Sequence, residues 1–384
     1  MSHTQTPLRL ALLMDPLEEG WPSMDLAADA LHEQLHGPLA EMVYVTSLRP
    51  KLVPLARKLP VLRDRRDALN VDRVLTRFLA YPARAALRAR GQDAWHVVDH
   101  TYAQLVHALP PGRAGVYCHD LDAFRSILEP EKEPRPAWFK AMAWTTLKGL
   151  QRAAVVFHST QAVREELLRH GVVPAERLVH APLGVSAEYG PEPVAGDTSD
   201  EVLRPLGGQP YVLHVGSGVA RKRVDVLFEV FAALRRQHPD LRLVQQGAAL
   251  NEAQRAQVAR LGIGDALLQP GKLDRATLAG LYRKAKVVLV TSEAEGFGLP
   301  VIEAMACGTP VVASDIPVLR EVGGDAIHYA PVGNIAAWTE AVHRLLESPE
   351  SDEARSRRIA RGRGYSWTNH ARIILDTYRR LTGY

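Results

Sequence analysis

Two glutamates and a pair of glycines carry the densest chemistry in the chain. Glu295 and Glu303 flank Gly296-Phe297-Gly298-Leu299-Pro300, in a run that continues to Cys307-Gly308-Thr309-Pro310. Glycines at 296 and 298 let backbone amides turn toward a ligand with no side chain intervening. Pro300 suits the first turn of a helix and Gly308 its C-terminal end. A helix N-terminus beside such a loop presents free N–H groups and positive dipole, which suits a diphosphate. A carboxylate facing that diphosphate would repel it, so Glu295 and Glu303 are expected to address ribose or sugar hydroxyls. Either acid alone reads as solvated or as a favourable charge near the helix start. With the glycine loop between them, the pair reads as a binding site.

A second cluster opens the same half of the chain. The apolar run Tyr211–Val215 leads into Gly216-Ser217-Gly218, followed by Arg221, Lys222 and Arg223. Fixed positive charge there suits a diphosphate, with Arg gripping two oxygens and Lys supplying a compact charge. Arg221 and Lys222 are expected to act so; Arg223 reads as part of a solvated turn. Gly216-x-Gly218 after a strand also fits the start of a dinucleotide fingerprint. That pattern needs a small residue where Arg221 stands and an acid where Gln245 and Gln246 occur. Both requirements fail, which argues against a nicotinamide dehydrogenase.

In the first half, His119 and Asp120 follow the run Gly115–Cys118. At a strand's carboxyl end they sit where such sheets meet a ligand. Asp99-His100-Thr101-Tyr102 ends another run and is a weaker candidate, while His158-Ser159-Thr160 reads better as a helix cap.

These residues need rigid elements behind them. Short apolar runs alternate with helical periodicity, the pattern of βαβ units and parallel sheets. Strands are expected at Leu8–Met14, Met42–Thr46, Trp95–Val98, Gly115–Cys118, Ala154–His158 and Leu178–Ala181. A second series follows at Tyr211–Val215, Leu241–Gln245, Leu267–Gln269, Val287–Val290 and Pro310–Ala313. The length of 384 residues favours two domains. The expected division is 1–190, a Pro/Gly-rich linker at 191–210, 211–364, and a final helical segment at 365–384. Open parallel sheets bind ligands beyond the carboxyl ends of their strands.

Composition narrows the class. With 46% hydrophobic and 23% charged residues and a net charge of +4, the chain reads as an ordinary globular protein. Cys118 and Cys307 are its two cysteines, too few for a disulfide framework or a cysteine metal site. No apolar run reaches spanning length, and a cytoplasmic location is expected. From Arg49 to Arg90 twelve Lys or Arg face three acids, interleaved with apolar residues. That stretch (49–90) is a candidate for resting on an anionic membrane surface at the inner face, or else a solvated helix face. No recognised module accompanies the charge, so nucleic acid is not an expected partner.

The E-x7-E spacing and the run through Pro310 resemble the signature of the family 4 retaining glycosyltransferases (glycosyl transferases group 1). The resemblance implies an α/β GT-B fold: two Rossmann-like doubly wound domains facing a central cleft, with a C-terminal helix crossing back to the first. It places Glu303 on the ribose, Glu295 on the transferred sugar, and the backbone of Phe297, Gly298 and Leu299 on sugar and phosphate. Ser217 stands where the commoner form of the first loop has arginine, so the loop resembles the form in which a later Arg-Lys pair meets the diphosphate. The implied reaction moves a hexose, with a lean to GDP-mannose, from a nucleoside-diphosphate sugar to a hydroxyl of a glycan or lipid-linked acceptor. Configuration is retained, and no cofactor or metal is required. A sugar-nucleotide epimerase of the same fold and a silent nucleotide-binding module are the alternatives.

Overall fold

The computed structural model describes residues 6–58, 66–88, 90–348 and 350–384. The chain divides into two compact units: residues 1–183 with 367–384, and residues 184–366.

The first unit holds six parallel strands: β1 (Leu8–Leu13), β2 (Val43–Leu48), β3 (Ala94–Val97), β4 (Ala114–Cys118), β5 (Val155–His158) and β6 (Leu178–His180), in the order β2-β1-β3-β4-β5-β6. The second holds β7 (Tyr211–Gly216), β8 (Arg242–Gly247), β9 (Leu267–Leu268), β10 (Val287–Val290), β11 (Val311–Ser314) and β12 (His328–Ala330), ordered β12-β11-β10-β7-β8-β9 and again parallel. Central strands such as β3, β4, β5, β10 and β11 are buried along their whole length. Helices cover both faces of such sheets, which is why these strands read as continuous apolar runs. All eleven expected strands form, with ends shifted by a residue or two. β12 was missed: it has three residues and an exposed start, so it lacks an apolar run.

In each sheet the strand order reverses once, between β1 and β3 and between β7 and β10. Loops leaving the carboxyl ends of those strands diverge and open a crevice.

Caps set the helix starts. Thr160 accepts the amide of Val163 at 3.3 Å, so the 158–160 segment is a helix cap as read. Asn251, Asp274 and Asn334 do likewise for the helices Glu252–Leu261, Arg275–Lys284 and Ile335–Glu347.

The 191–210 stretch differs from the linker expected there. It lies in the second unit and carries a short helix, Ser199–Leu203. Asp197 accepts Arg283 at 2.7 Å, and the Thr198 and Thr277 hydroxyls meet at 2.9 Å, tying it to the helix Arg275–Lys284. Its Pro and Gly content hid those tertiary bonds.

The helix Trp367–Thr382 belongs to the first unit. Trp367, His370, Ala371, Ile374, Leu375 and Tyr378 are buried at three- and four-residue spacing. The Tyr378 hydroxyl donates to the Trp95 carbonyl at 3.0 Å and lies over Gly115, where any Cβ would collide with it. Among the described residues no helix is long and apolar enough to cross a membrane. Cys118 and Cys307 are buried free thiols.

Candidate functional site

The two loops at the switch point of the second sheet are stitched together. After β10, the Thr291 hydroxyl donates to the Lys222 carbonyl and the Glu293 amide to the Arg221 carbonyl, each at 2.9 Å. Arg221 Nη1 reaches the Ala294 carbonyl at 3.0 Å. This lattice brings Glu295 onto the cations of the first loop. Lys222 Nζ donates to Glu295 Oε1 at 2.5 Å, Ser292 Oγ to the same oxygen at 2.7 Å, and Arg221 Nη1 stands 3.4 Å from Oε2. The Glu295 side chain is 6% exposed. Burial alone would push its carboxyl up, but Lys222 and Arg221 outweigh it and hold the group below the usual carboxylate range. Arg223 takes a left-handed backbone (φ 48°) and pairs with Asp225 and Glu293, in keeping with its reading as a turn residue.

Next to this node, Gly298 (φ 100°) turns the chain into the helix Leu299–Cys307, with Pro300 in its first turn and Gly308 (φ 80°) closing it. A Cβ at Gly298 would strike Leu319, so both the dihedral and the space select glycine. Phe297 is buried edge-on against Tyr365, with ring centroids 5.5 Å apart. Its side chain packs inward, which leaves only its backbone for a ligand.

Glu303 lies one turn into that helix and is buried. Tyr282 Oη donates to its Oε2 at 2.7 Å, and Tyr189, stacked edge-on against Tyr282, supplies a second hydroxyl. Burial raises its carboxyl to about 7, against the opposing pull of the two hydroxyls and of Arg275. Both tyrosines went unnoticed in the sequence, where Tyr282 is simply one apolar position of an amphipathic helix.

Ser217 is exposed at the end of β7, and Gly218 accepts Gln254 Nε2 at 3.3 Å. Gly216 sits over the His214 ring, which burial holds neutral at about 3. Gln245 spends its amide on the Gly216 carbonyl (3.4 Å) and accepts from Gln269 (2.5 Å). The end of β8 is thus occupied by glutamines, in line with the exclusion of a dinucleotide site.

His119 and Asp120 belong to the other unit. His119 is buried, with Nε2 on the Val98 carbonyl at 3.1 Å, and burial keeps its imidazole below the usual range. Asp120 Oδ1 accepts the Asp122 amide at 3.0 Å and lies 3.6 Å from His100 Nε2. At the switch point of this sheet, Asp15 follows β1 while Asp99 and His100 follow β3, all buried. His100 Nδ1 is 3.2 Å from Asp99 and accepts the His119 amide at 3.3 Å. Burial and the neighbouring Asp99 push the Asp15 carboxyl well above the carboxylate range. Asp15 was not anticipated, because nothing local marks the residue after a strand as one that meets a second acid.

The basic 49–90 stretch lies partly outside the described residues, at 59–65 and 89. In the rest, several cations are engaged internally: Arg49 with Asp29 (2.6 Å), Arg57 with Asp72 (2.8 Å), Arg73 with Glu19 (3.5 Å), and Arg77 over the Tyr102 ring. Lys51, Lys58, Arg84 and Arg88 are exposed, as are Leu55, Leu79 and Leu87.

The architecture agrees with known proteins. Residues 197–364 match the model of the family described as glycosyl transferases group 1. O-antigen chain mannosyltransferase B of Escherichia coli is 28% identical over 276 residues, covering 70% of this chain and 71% of that protein. D-inositol 3-phosphate glycosyltransferase of Xylanimonas cellulosilytica is 33% identical over 241 residues, covering 58% of this chain and 56% of the relative. The match therefore spans between about half and three-quarters of these relatives' length. Among solved structures, Anabaena HepE in complex with UDP and glucose superposes with a TM-score of 0.70 at 17% identity, over 96% of this chain and 99% of that one. The two parallel six-stranded sheets are those of the GT-B fold, and residues 197–364 match the glycosyl transferases group 1 family, which supports a glycosyltransferase.

Proposed function

We propose that the enzyme transfers a hexose from a nucleoside-diphosphate sugar, with a lean to GDP-mannose, to a hydroxyl of a glycan or lipid-linked acceptor, with retention and without a metal. The observation that carries this reading is the node in which Glu295 holds Lys222 and Arg221 beside the N-terminus of the helix Leu299–Cys307. The cations are preorganised there at little reorganisation cost, which is what stabilisation of a leaving diphosphate requires. In the proposed step the bond from the sugar's anomeric carbon to the diphosphate oxygen breaks, its electron pair going to the diphosphate. The acceptor oxygen bonds to that carbon on the same face, and its proton passes to the departing phosphate. Arg221 and Lys222 neutralise the developing charge, together with the amides of Phe297, Gly298 and Leu299. Gly216, Ser217, Gly218 and Gly296 give the donor close approach to backbone, Glu295 addresses the sugar, and Glu303 accepts the ribose hydroxyls. His119 and Asp120 are assigned to sugar or acceptor hydroxyls. The mannosyl lean draws on the Arg-Lys loop and on the mannosyltransferase relative; HepE bound to UDP and glucose supports a nucleotide-sugar donor.

A thermal-shift panel of UDP-, GDP-, ADP- and dTDP-sugars, followed by turnover with the hit in the presence of chelator, tests this. Lys222→Ala and Glu303→Ala should each lower transfer by roughly a hundredfold or more with the fold intact. Wild-type turnover in either variant would sink the site assignment. Conversion of the donor without any acceptor would favour the epimerase, and binding without turnover the silent module.

The exposed Leu55, Leu79 and Leu87, with the exposed Lys51, Lys58, Arg84 and Arg88, support contact with an anionic membrane surface. Flotation with anionic liposomes at low salt should carry the protein upward; its remaining at the bottom would remove this part.

A further inference from the structure

Away from the transfer loops, the second unit brings together three side chains that the reaction does not use. The helix Val224–Arg235 and the helix Ile335–Glu347 pack through Phe231, Leu234, Trp338 and Val342. His238 follows the first helix closely, its amide donating to the Leu234 carbonyl at 2.8 Å. His343 and Glu347 lie four residues apart on the second helix, so they share one face. Packing of the two helices sets all three together: His238 Nε2 meets His343 Nδ1 at 3.0 Å, and His238 Nδ1 lies 3.7 Å from Glu347 Oε1. One ligand atom from each residue falls within 4.8 Å of the other two.

Two features point to a cation. Glu347 ends its helix, where the dipole favours positive charge rather than a carboxylate. The two imidazoles face each other nitrogen to nitrogen, an arrangement that offers a lone pair toward a shared point. Ligands at about 2.0–2.1 Å around a tetrahedral ion stand about 3.3 Å apart; the two imidazole nitrogens are already near that spacing at 3.0 Å, and a carboxylate oxygen of Glu347, within 4.8 Å, closes on the ion by turning its side chain. Two imidazoles and one carboxylate suit a zinc-class ion rather than calcium or magnesium, which take all-oxygen sets.

We propose that His238, His343 and Glu347 bind one first-row transition-metal dication of the zinc class, clamping the end of the helix Val224–Arg235 to the helix Ile335–Glu347. The ion replaces the hydrogen bond between the imidazoles, and a water completes its coordination. It takes no part in sugar transfer, so the site is independent of the transfer loops and of the activity proposed for them.

Calorimetric titration of the chelator-stripped full-length chain with zinc sulfate tests the site, with cobalt absorption as a second readout. The expected result is one ion per chain, the visible band of four-coordinate cobalt, and a rise in Tm on zinc addition. His343→Ala and Glu347→Gln should each weaken binding roughly tenfold or more, since even residues that merely support metal ligands cost that much when lost. His328→Ala, at a histidine beside Glu350 elsewhere on the unit, should leave it unchanged. No saturable binding, or binding that survives both ligand variants, would overturn the proposal. Loss of sugar transfer in the stripped protein would overturn the separation of this ion from catalysis.

Discussion

Glu303 carries its proton up to about 7 because its carboxylate is buried and its hydroxyl partners only partly replace water. A carboxyl raised in the folded state favours folding while it is protonated. That advantage fades as pH rises from about 4.5 in the unfolded chain through about 7 in the folded one. Glu303→Gln cannot ionise, so it escapes this loss. Between pH 4.5 and 7.5, wild type should lose about 3 kcal/mol of stability relative to the variant, measured by urea unfolding at each pH. Parallel pH profiles would show that the residue sits in a wetter or more strongly paired state than the fold indicates. Glu295 behaves oppositely, held ionised by Lys222 and Arg221. The two acids of the E-x7-E spacing are thus chemically unlike, and the spacing alone could not tell them apart. Their types were legible in the sequence. Their protonation was not, because it depends on Tyr282, Tyr189 and Lys222, which arrive from other elements.

At the scale of elements, the loop from β10 into the helix Leu299–Cys307 is a turn that one residue makes feasible. Gly298 at φ 100° and the Leu319 side chain above it exclude a Cβ. Gly298→Ala should cost about 1–3 kcal/mol, seen as a lower Tm. It should also raise the KM for the donor, because the amides of this turn lose their aim. A variant with unchanged Tm and KM would mean that the loop does not rely on that conformation. Strand–turn–helix punctuation here, Pro300 after Gly298 and Gly308 at the far end, was readable because each residue answers a local backbone demand. The helix Ser199–Leu203 was misread as linker because its support, Asp197 on Arg283 and Thr198 on Thr277, spans about eighty residues of chain.

At the scale of the molecule, the last helix, Trp367–Thr382, belongs with the unit that begins the chain. Ile374, Leu375 and Tyr378 are fully buried, each contributing about 1.5–3 kcal/mol of burial, a large share of a domain's marginal stability. Truncation after Ser366 should therefore strip hydrogen-exchange protection from β3 and β4 while leaving β7 and β10 protected. Unaltered protection in β3 and β4 would show that the first sheet is stable without this helix. Taken by itself, the sequence determined the two series of parallel strands, the final helix, the glycine turn and the residue types of the donor loops. Those are local signals: apolar runs, caps and backbone demands. Tertiary structure alone decided that Glu295 meets Lys222, that Asp15 meets Asp99, and that His238 meets His343. Each pair depends on which strands or helices lie side by side, and strand order is set by the packing of whole sheets, which local periodicity does not encode.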